Sequence, residues 1–210
     1  MTPEVARRMN RLNESFYRDN ARSFDQTRQG AWPGWEHCLG PAMNVLSQDG
    51  GARILDVASG NLRFARYLAE RLPGARVSYH GIDSCPELAR DVRLPEGWEV
   101  TLQELDVVDA LLGEGPDEGL GARLKGGAAD LVACFGFFHH VPTIEARRRL
   151  LQELLSYTRA GGLCCVSLWR PMSDRRIARV LAQRACCSGL RSAEAAKRLV
   201  AAKAAPRSTP

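Results

Sequence analysis

Five short apolar runs separated by helical patterns constrain this chain more than any other feature. Arg53 to Val57, Arg76 to Ile82, Trp98 to Leu105, Ala129 to Phe135 and Leu163 to Trp169 read as strands, rich in aliphatic and aromatic residues and bounded by turn formers. Leu62 to Arg71, Pro86 to Val92 and Thr143 to Tyr157 read as the helices between them. Strand and helix alternating in this way build right-handed crossovers, so the fold class is α/β, a mostly parallel sheet with helices on both faces. In the last of these helices Ile144, Leu150, Leu151, Leu154 and Leu155 fall near one face, while Arg147, Arg148 and Arg149 lie largely elsewhere. Thr143 suits its N-cap, and Gly161-Gly162 is expected to turn the chain into the fifth strand.

Ahead of the sheet, ESFYRDNARSFDQTR reads as a helix, followed by Trp32-Pro33-Gly34-Trp35 and a second helix near Glu36 to Leu46. Phe16, Tyr17 and Phe24 are expected to pack this segment over the carboxyl edge of the sheet. Gly113 to Gly127 has no apolar period and is expected to be an exposed, mobile loop. Beyond Trp169 one more helix is legible, roughly Asp174 to Cys187, and no sixth or seventh strand. The expected organisation is a helical cap over residues 1–50, an α/β core over 51–187 and a basic, Ala-rich tail over 188–210.

Composition bounds the function. A chain of 210 residues, 45% hydrophobic and 25% charged, can bury one ordinary core. No apolar run approaches the roughly 18 to 20 residues that span a bilayer, and the N-terminus lacks the pattern of a secretory leader, so a cytoplasmic location and no membrane partner are expected. The seven cysteines include no C-x-x-C, which points to reduced core thiols and no metal. The positive charge is concentrated at the end, where residues 170–210 hold 10 Lys and Arg against 2 Asp and Glu. Such a segment is either a footprint for RNA or another polyanion, or a solvated helix.

The site follows from the topology, because ligands of open parallel sheets bind beyond the strands' carboxyl ends, where strand order reverses. The turn Val57 to Asn61 falls there. Gly60 lets a ligand approach the backbone, and the amides that open the next helix can hold an anion. Asp83, ending the second run, is placed to accept from two ribose hydroxyls. Asp106, after the third, is placed to accept from the exocyclic amine of adenine, with Val107 covering the ring. NAD and S-adenosylmethionine both suit this layout. A dinucleotide turn wants G-x-G-x-x-G, whereas Asp56-Val-Ala-Ser-Gly-Asn-Leu62 has one glycine and begins on an acid.

The order DVASGN, GID, ELD, ADLVACFGFFHHV and AGGLCCVSLW resembles the class I S-adenosylmethionine-dependent methyltransferases, over roughly Ala52 to Trp169. The resemblance implies a Rossmann-like fold, S-adenosylmethionine as cofactor, and a cofactor site at Asp56, Ala58, Ser59, Gly60, Asn61, Asp83, Asp106, Val107 and Phe135. A narrower resemblance is carried by Tyr17, Phe24, Thr27, Arg28, Trp32 and Pro33, then His139, His140, Thr143, Arg147 and Arg148, and Trp169. In this order these residues resemble the tRNA wobble-uridine methyltransferases that esterify a carboxymethyl group on uridine. That implies tRNA and an activating subunit as partners. It implies Arg28, His139 and His140 as catalytic residues, and Tyr17, Arg28, Trp32, Trp169 and Arg170 against the substrate. Arg28 would hold an anionic acceptor, and the histidines would position the acceptor or take its proton.

Two departures carry expectations of their own. Two glycines of the usual G-x-G-x-G turn have become Ala58 and Leu62, and Leu62 is expected to add bulk at the methionine end. The closing hairpin of the family's sheet is not legible, so a sheet without its last strands is expected. Two other readings stand beside the first: a small-molecule methyltransferase, and a catalytically silent methyltransferase-like subunit that binds a partner or RNA.

Overall fold

In the computed structural model the described residues are 1–26, 30–46, 51–113, 115 and 119–168. Five strands form one parallel sheet: β1 (Ala52–Val57), β2 (Val77–Asp83), β3 (Trp98–Glu104), β4 (Ala129–Cys134) and β5 (Thr158–Val166), in the order β3-β2-β1-β4-β5. Strand order reverses beside β1, as a crossover fold with helices on two faces requires. The helices are α1 (Pro3–Gln26), α2 (Gly34–Leu46), α3 (Arg63–Arg71), α4 (Val107–Leu112), α5 (Leu120–Arg123) and α6 (Ile144–Ser156).

The pleat distributes the central strands between two cores. Ile54, Tyr79, Leu131 and Ala133 face the cluster built with Trp35 and Leu39 of α2 and Leu68 of α3. Leu55, Val57, Ile82, Val132 and Cys134 face the opposite cluster, closed by Leu111, Leu120, Leu150 and Leu154. Alternation to opposite faces is the period-two geometry of a strand, and burial on both faces explains why β1 and β4 read as nearly continuous apolar runs.

Several sequence expectations change. The fifth strand begins five residues early, at Thr158, and contains Gly161 and Gly162 instead of following them. The register shifts between Ala129 and Leu131, a bulge that absorbs the extra residues; Gly161 lies at φ +77°. Gly162 is required by close approach, since a Cβ there would stand 2.9 Å from Asp130 O and 3.0 Å from Arg159 O. The glycine-rich loop is not uniformly exposed, because α5 anchors it with Leu120 in the core.

In α6 the buried residues are Ala146, Leu150 and Leu154, whereas Ile144, Leu151 and Leu155 are exposed. At roughly 100° per residue the apolar arc of α6 is wider than the strip that the sheet covers, and only one of its edges is buried. Finally, Pro86 to Val92 forms only a 3-10 turn, Pro86–Ala89. The expected helix Asp174 to Cys187 and the tail 188–210 lie outside the described residues.

α1 is longer than its sequence reading and meets α4 and the turn after β2. Phe16 does not pack over the sheet: it is 58% exposed, in a row with Val5, Met9 and Leu12 on the outer side of the helix. The inner side carries Ala6, Asn10, Glu14 and Tyr17. The side chain of Phe24 lies outside what is described. No helix among the described residues is long and apolar enough to cross a membrane.

Candidate functional site

The turn after β1 is wound left-handed at three non-consecutive residues: Ala58 (φ 63°), Gly60 (φ 53°) and Leu62 (φ 52°). Only glycine adopts that region without steric cost, so the backbone retains a glycine-rich conformation although two of its three residues carry side chains. Leu62 is the N-cap of α3 and makes no side-chain cap hydrogen bond. Its side chain is 1% exposed and packs in the cluster with Trp35 and Phe64. The bulk that the sequence placed in the turn is thus directed into the core. Beside Gly60 an added Cβ would meet nothing within 4 Å, which leaves the backbone open to a ligand.

Asp83 ties this turn to the end of β2. One carboxylate oxygen accepts from Gly60 N–H at 2.8 Å and the other from Cys85 N–H at 2.9 Å. Burial pushes its carboxyl up, while the amides of Cys85, Gly60 and Ser84 pull it down. Ser59 N–H donates to Ile82 O at 2.9 Å, closing the turn against β2. Asp56, 2% exposed, accepts from the Tyr79 hydroxyl at 2.6 Å. Burial raises its carboxyl to about 7, Tyr79 opposes this, and the charge of Asp83 adds to it. Asn61 is buried at 4%.

At the end of β3, Asp106 caps α4: Oδ1 accepts from Asp109 N–H at 2.9 Å. Its Oδ2 accepts from Nδ2 of Asn10 in α1 at 2.5 Å. Glu14, one turn along α1, also hydrogen-bonds Asp106, and burial together with that neighbouring charge raises its carboxyl to about 7. Val107 is 3% exposed and belongs to the second core.

Beyond β4, Phe135 is half-buried among aromatics, 4.8 Å from Phe64 and 5.9 Å from Trp35 between ring centroids. Trp32, 40% exposed, stands edge-on to both Trp35 and Phe135 at 6.4 Å. Trp35 itself is core, with the Arg63 guanidinium 5.1 Å from its ring. His139 and His140 occupy a 3-10 turn, Phe138–His140, with their rings 4.0 Å apart. Tyr17 Oη and His140 Nε2 are 3.0 Å apart, which joins α1 to this end of the site. Burial lowers His140 to about 4, with His139 adding to it; packing against its neighbours lowers His139 also, helped by Arg147. Both imidazoles are therefore neutral at pH 7, donors and acceptors without charge. Ser167 Oγ accepts from Gly136 N–H at 2.7 Å and holds the loop that carries Phe135.

One edge of the sheet thus brings together the turn Asp56 to Asn61, Asp83, Asp106, Phe135, Tyr17, Trp32, His139 and His140. Arg28, Thr27, Trp169 and Arg170 lie outside the described residues. The sequence reading missed Asn10, Glu14, Tyr79 and Ser167. For the α1 pair a signal existed, since 10, 14 and 17 are spaced as one helical face carrying polar groups. Among the described residues no group of His, Cys, Asp and Glu is arranged to hold a metal.

The family model described as a methyltransferase domain matches residues 55–164. No curated protein matches the sequence. Among solved structures, phosphoethanolamine N-methyltransferase 1 of Haemonchus contortus, in complex with phosphoethanolamine and S-adenosylhomocysteine, is 19% identical; the match covers 83% of this chain and 35% of that one at a TM-score of 0.50. The DhpI-SAM-HEP complex is 19% identical over 81% of this chain and 69% of that one, at 0.46. The complex of the Haloferax volcanii Trm112 methyltransferase activator with its putative methyltransferase is 16% identical over 71% and 58%, at 0.45. The likeness to the first of these is one of fold, and the chain spans between 35% and 69% of the three.

Proposed function

The chain belongs to the methyltransferase domain family, in its class I, S-adenosylmethionine-dependent form, and from that premise we propose that the cleft beyond β1, β2 and β4 binds S-adenosylmethionine and methylates an acceptor held between Tyr17, Trp32, His139 and His140. The observation that carries this reading is the turn itself: three left-handed residues and a bond from Gly60 N–H to Asp83 keep an open backbone surface beside a carboxylate. Asp83 would receive the ribose hydroxyls, Asp106 the adenine amine, and the first amides of α3 the methionine carboxylate. The cofactor supplies a methyl group on a sulfonium, already electrophilic. What remains for the protein is alignment, which can contribute up to roughly 7 to 11 kcal/mol in favourable cases.

The acceptor in this reading is the carboxymethyl group of a tRNA wobble uridine. What supports it is the order of Tyr17, Thr27, Arg28, Trp32 and Pro33 ahead of the sheet and of His139, His140 and Thr143 within it. A carboxylate is ionised at pH 7 and needs no base, so neutral histidines suffice to orient it and Arg28 would hold its charge. A second reading, a small-molecule acceptor, is favoured by α1 crossing the site from Asp106 to His140, which narrows the acceptor side.

Incubation with labelled cofactor and total tRNA separates them. Label in the tRNA fraction is expected, and label confined to small molecules rejects the tRNA reading. The proposal includes an activating subunit, which predicts that the chain gains activity when co-expressed with one. A thermal shift with S-adenosylhomocysteine distinguishes an enzyme from a silent subunit, for which a folded chain would show no shift.

A further inference from the structure

Asp106 is held from two directions. The Asp109 amide fixes Oδ1 from within its own helix, and Asn10, 8% exposed on α1, fixes Oδ2 from 96 positions away. The first bond leaves the carboxylate free to swing about its side-chain axis. The second bond removes that freedom. Glu14 brings a second carboxyl to the same group and can hold Asp106 only while it is protonated, so the Asn10 amide is the anchor from α1 that persists when Glu14 is ionised. With both oxygens anchored, the remaining lone pairs keep one direction, and a carboxylate with fixed lone pairs can tell a donor from an acceptor.

We propose that Asn10 is a positioning residue for base selectivity: by fixing Asp106 it makes the site prefer a 6-aminopurine cofactor over its 6-oxo counterpart. The amine presents N–H groups to the carboxylate, whereas the 6-oxo ring presents a carbonyl oxygen that the carboxylate repels. The proposal rests on the reading that Asp106 meets the adenine amine, and its test separates the two. Asn10 makes no contact with the base and acts through Asp106.

The test is calorimetric titration of the full chain with S-adenosylhomocysteine and with S-inosylhomocysteine, its 6-oxo analogue. Wild type is expected to prefer the amine by about tenfold or more, the range of one hydrogen bond to a charged group. Asn10→Ala is expected to reduce that preference to about threefold or less, and Asp106→Asn likewise. Asn10→Leu stays close to the size of the side chain but cannot donate in any protonation state, and the same loss is expected, so the inference stays testable should Asn10→Ala fold poorly. An unchanged preference in the Asn10 variants, alongside a lost one in Asp106→Asn, overturns the proposal alone. Equal weakening of both ligands in the Asn10 variants makes Asn10 merely structural and also overturns it. An unchanged preference in Asp106→Asn overturns the reading of Asp106 beneath it, and no binding of either ligand by folded wild type overturns the cofactor site as a whole.

Discussion

Ala58 and Leu62 share a backbone conformation and differ in where their side chains go, so substituting each with glycine should move stability in opposite directions. A side chain in the left-handed region costs about 1–2 kcal/mol, and a new glycine gives back roughly 0.5–1 kcal/mol through the added freedom of the unfolded chain. Ala58 lies at φ 63° and is half-buried, with only a methyl group to lose. Ala58→Gly should therefore stabilise by about 0.5–1 kcal/mol, a rise in Tm of about 1–4 °C for a chain of this size.

Leu62 lies at φ 52° with a side chain 1% exposed in the core. Truncating a buried leucine to alanine costs about 2–5 kcal/mol. Leu62→Gly recovers part of this by relieving the backbone, whereas Leu62→Ala leaves the strain in place. The expected order is thus Ala58→Gly above wild type, wild type above Leu62→Gly, and Leu62→Gly above Leu62→Ala. The last step inverts the usual preference for alanine over glycine. Urea denaturation of the four chains reads it. Finding Leu62→Ala more stable than Leu62→Gly, or Ala58→Gly clearly less stable than wild type, would refute the argument that the turn keeps a glycine backbone under substituted residues.

Asp83→Ala removes both the anchor of Gly60 and the proposed ribose contact, so S-adenosylhomocysteine affinity should fall at least about a hundredfold by calorimetry; unchanged binding removes the site assignment. Burial lifts the Asp56 carboxyl to about 7, so the folded chain holds a proton that the unfolded chain releases near 3.8. The stability this contributes is full below about 4 and is lost as pH rises to 7. The chain carrying Asp56→Asn should therefore gain on wild type between pH 5 and pH 8, and a constant difference in denaturation midpoints rejects that assignment. Tyr17→Phe breaks the link to His140 and should speed amide exchange in the middle of α1 about two- to tenfold; protection equal to wild type means the contact does not hold the helix. Gly162→Ala places a Cβ 2.9 Å from Asp130 O, so a loss of about 1–3 kcal/mol is expected, with an unshifted melting curve as the contrary result.

Much of the fold was legible because periodicity is a local property. Four of the five strands, the helix after the first turn, and the acids at successive strand ends follow from runs of neighbours and the residues that bound them. The fifth strand was read late because Gly161-Gly162 carries the signal of a turn, and only the approach of the Asp130 carbonyl shows that this glycine is needed within a strand. The buried edge of α6 was misplaced for a related reason. Ile144, Leu151 and Leu155 are as apolar as Leu150 and Leu154, and nothing in the helix itself says which side of the arc the sheet will cover.

By itself the sequence determined the order of the elements, the turn that faces a ligand and the acids beside it, since each depends on residues a few positions apart. The tertiary structure decided which distant groups meet. Asn10 reaches Asp106 across 96 positions and Tyr17 reaches His140 across 123 because α1 crosses the strand ends in one register and at one angle. It also decided that Leu62 turns into the core while its backbone stays left-handed. Such pairings depend on how whole elements pack, and packing leaves no repeat along the chain from which to read them.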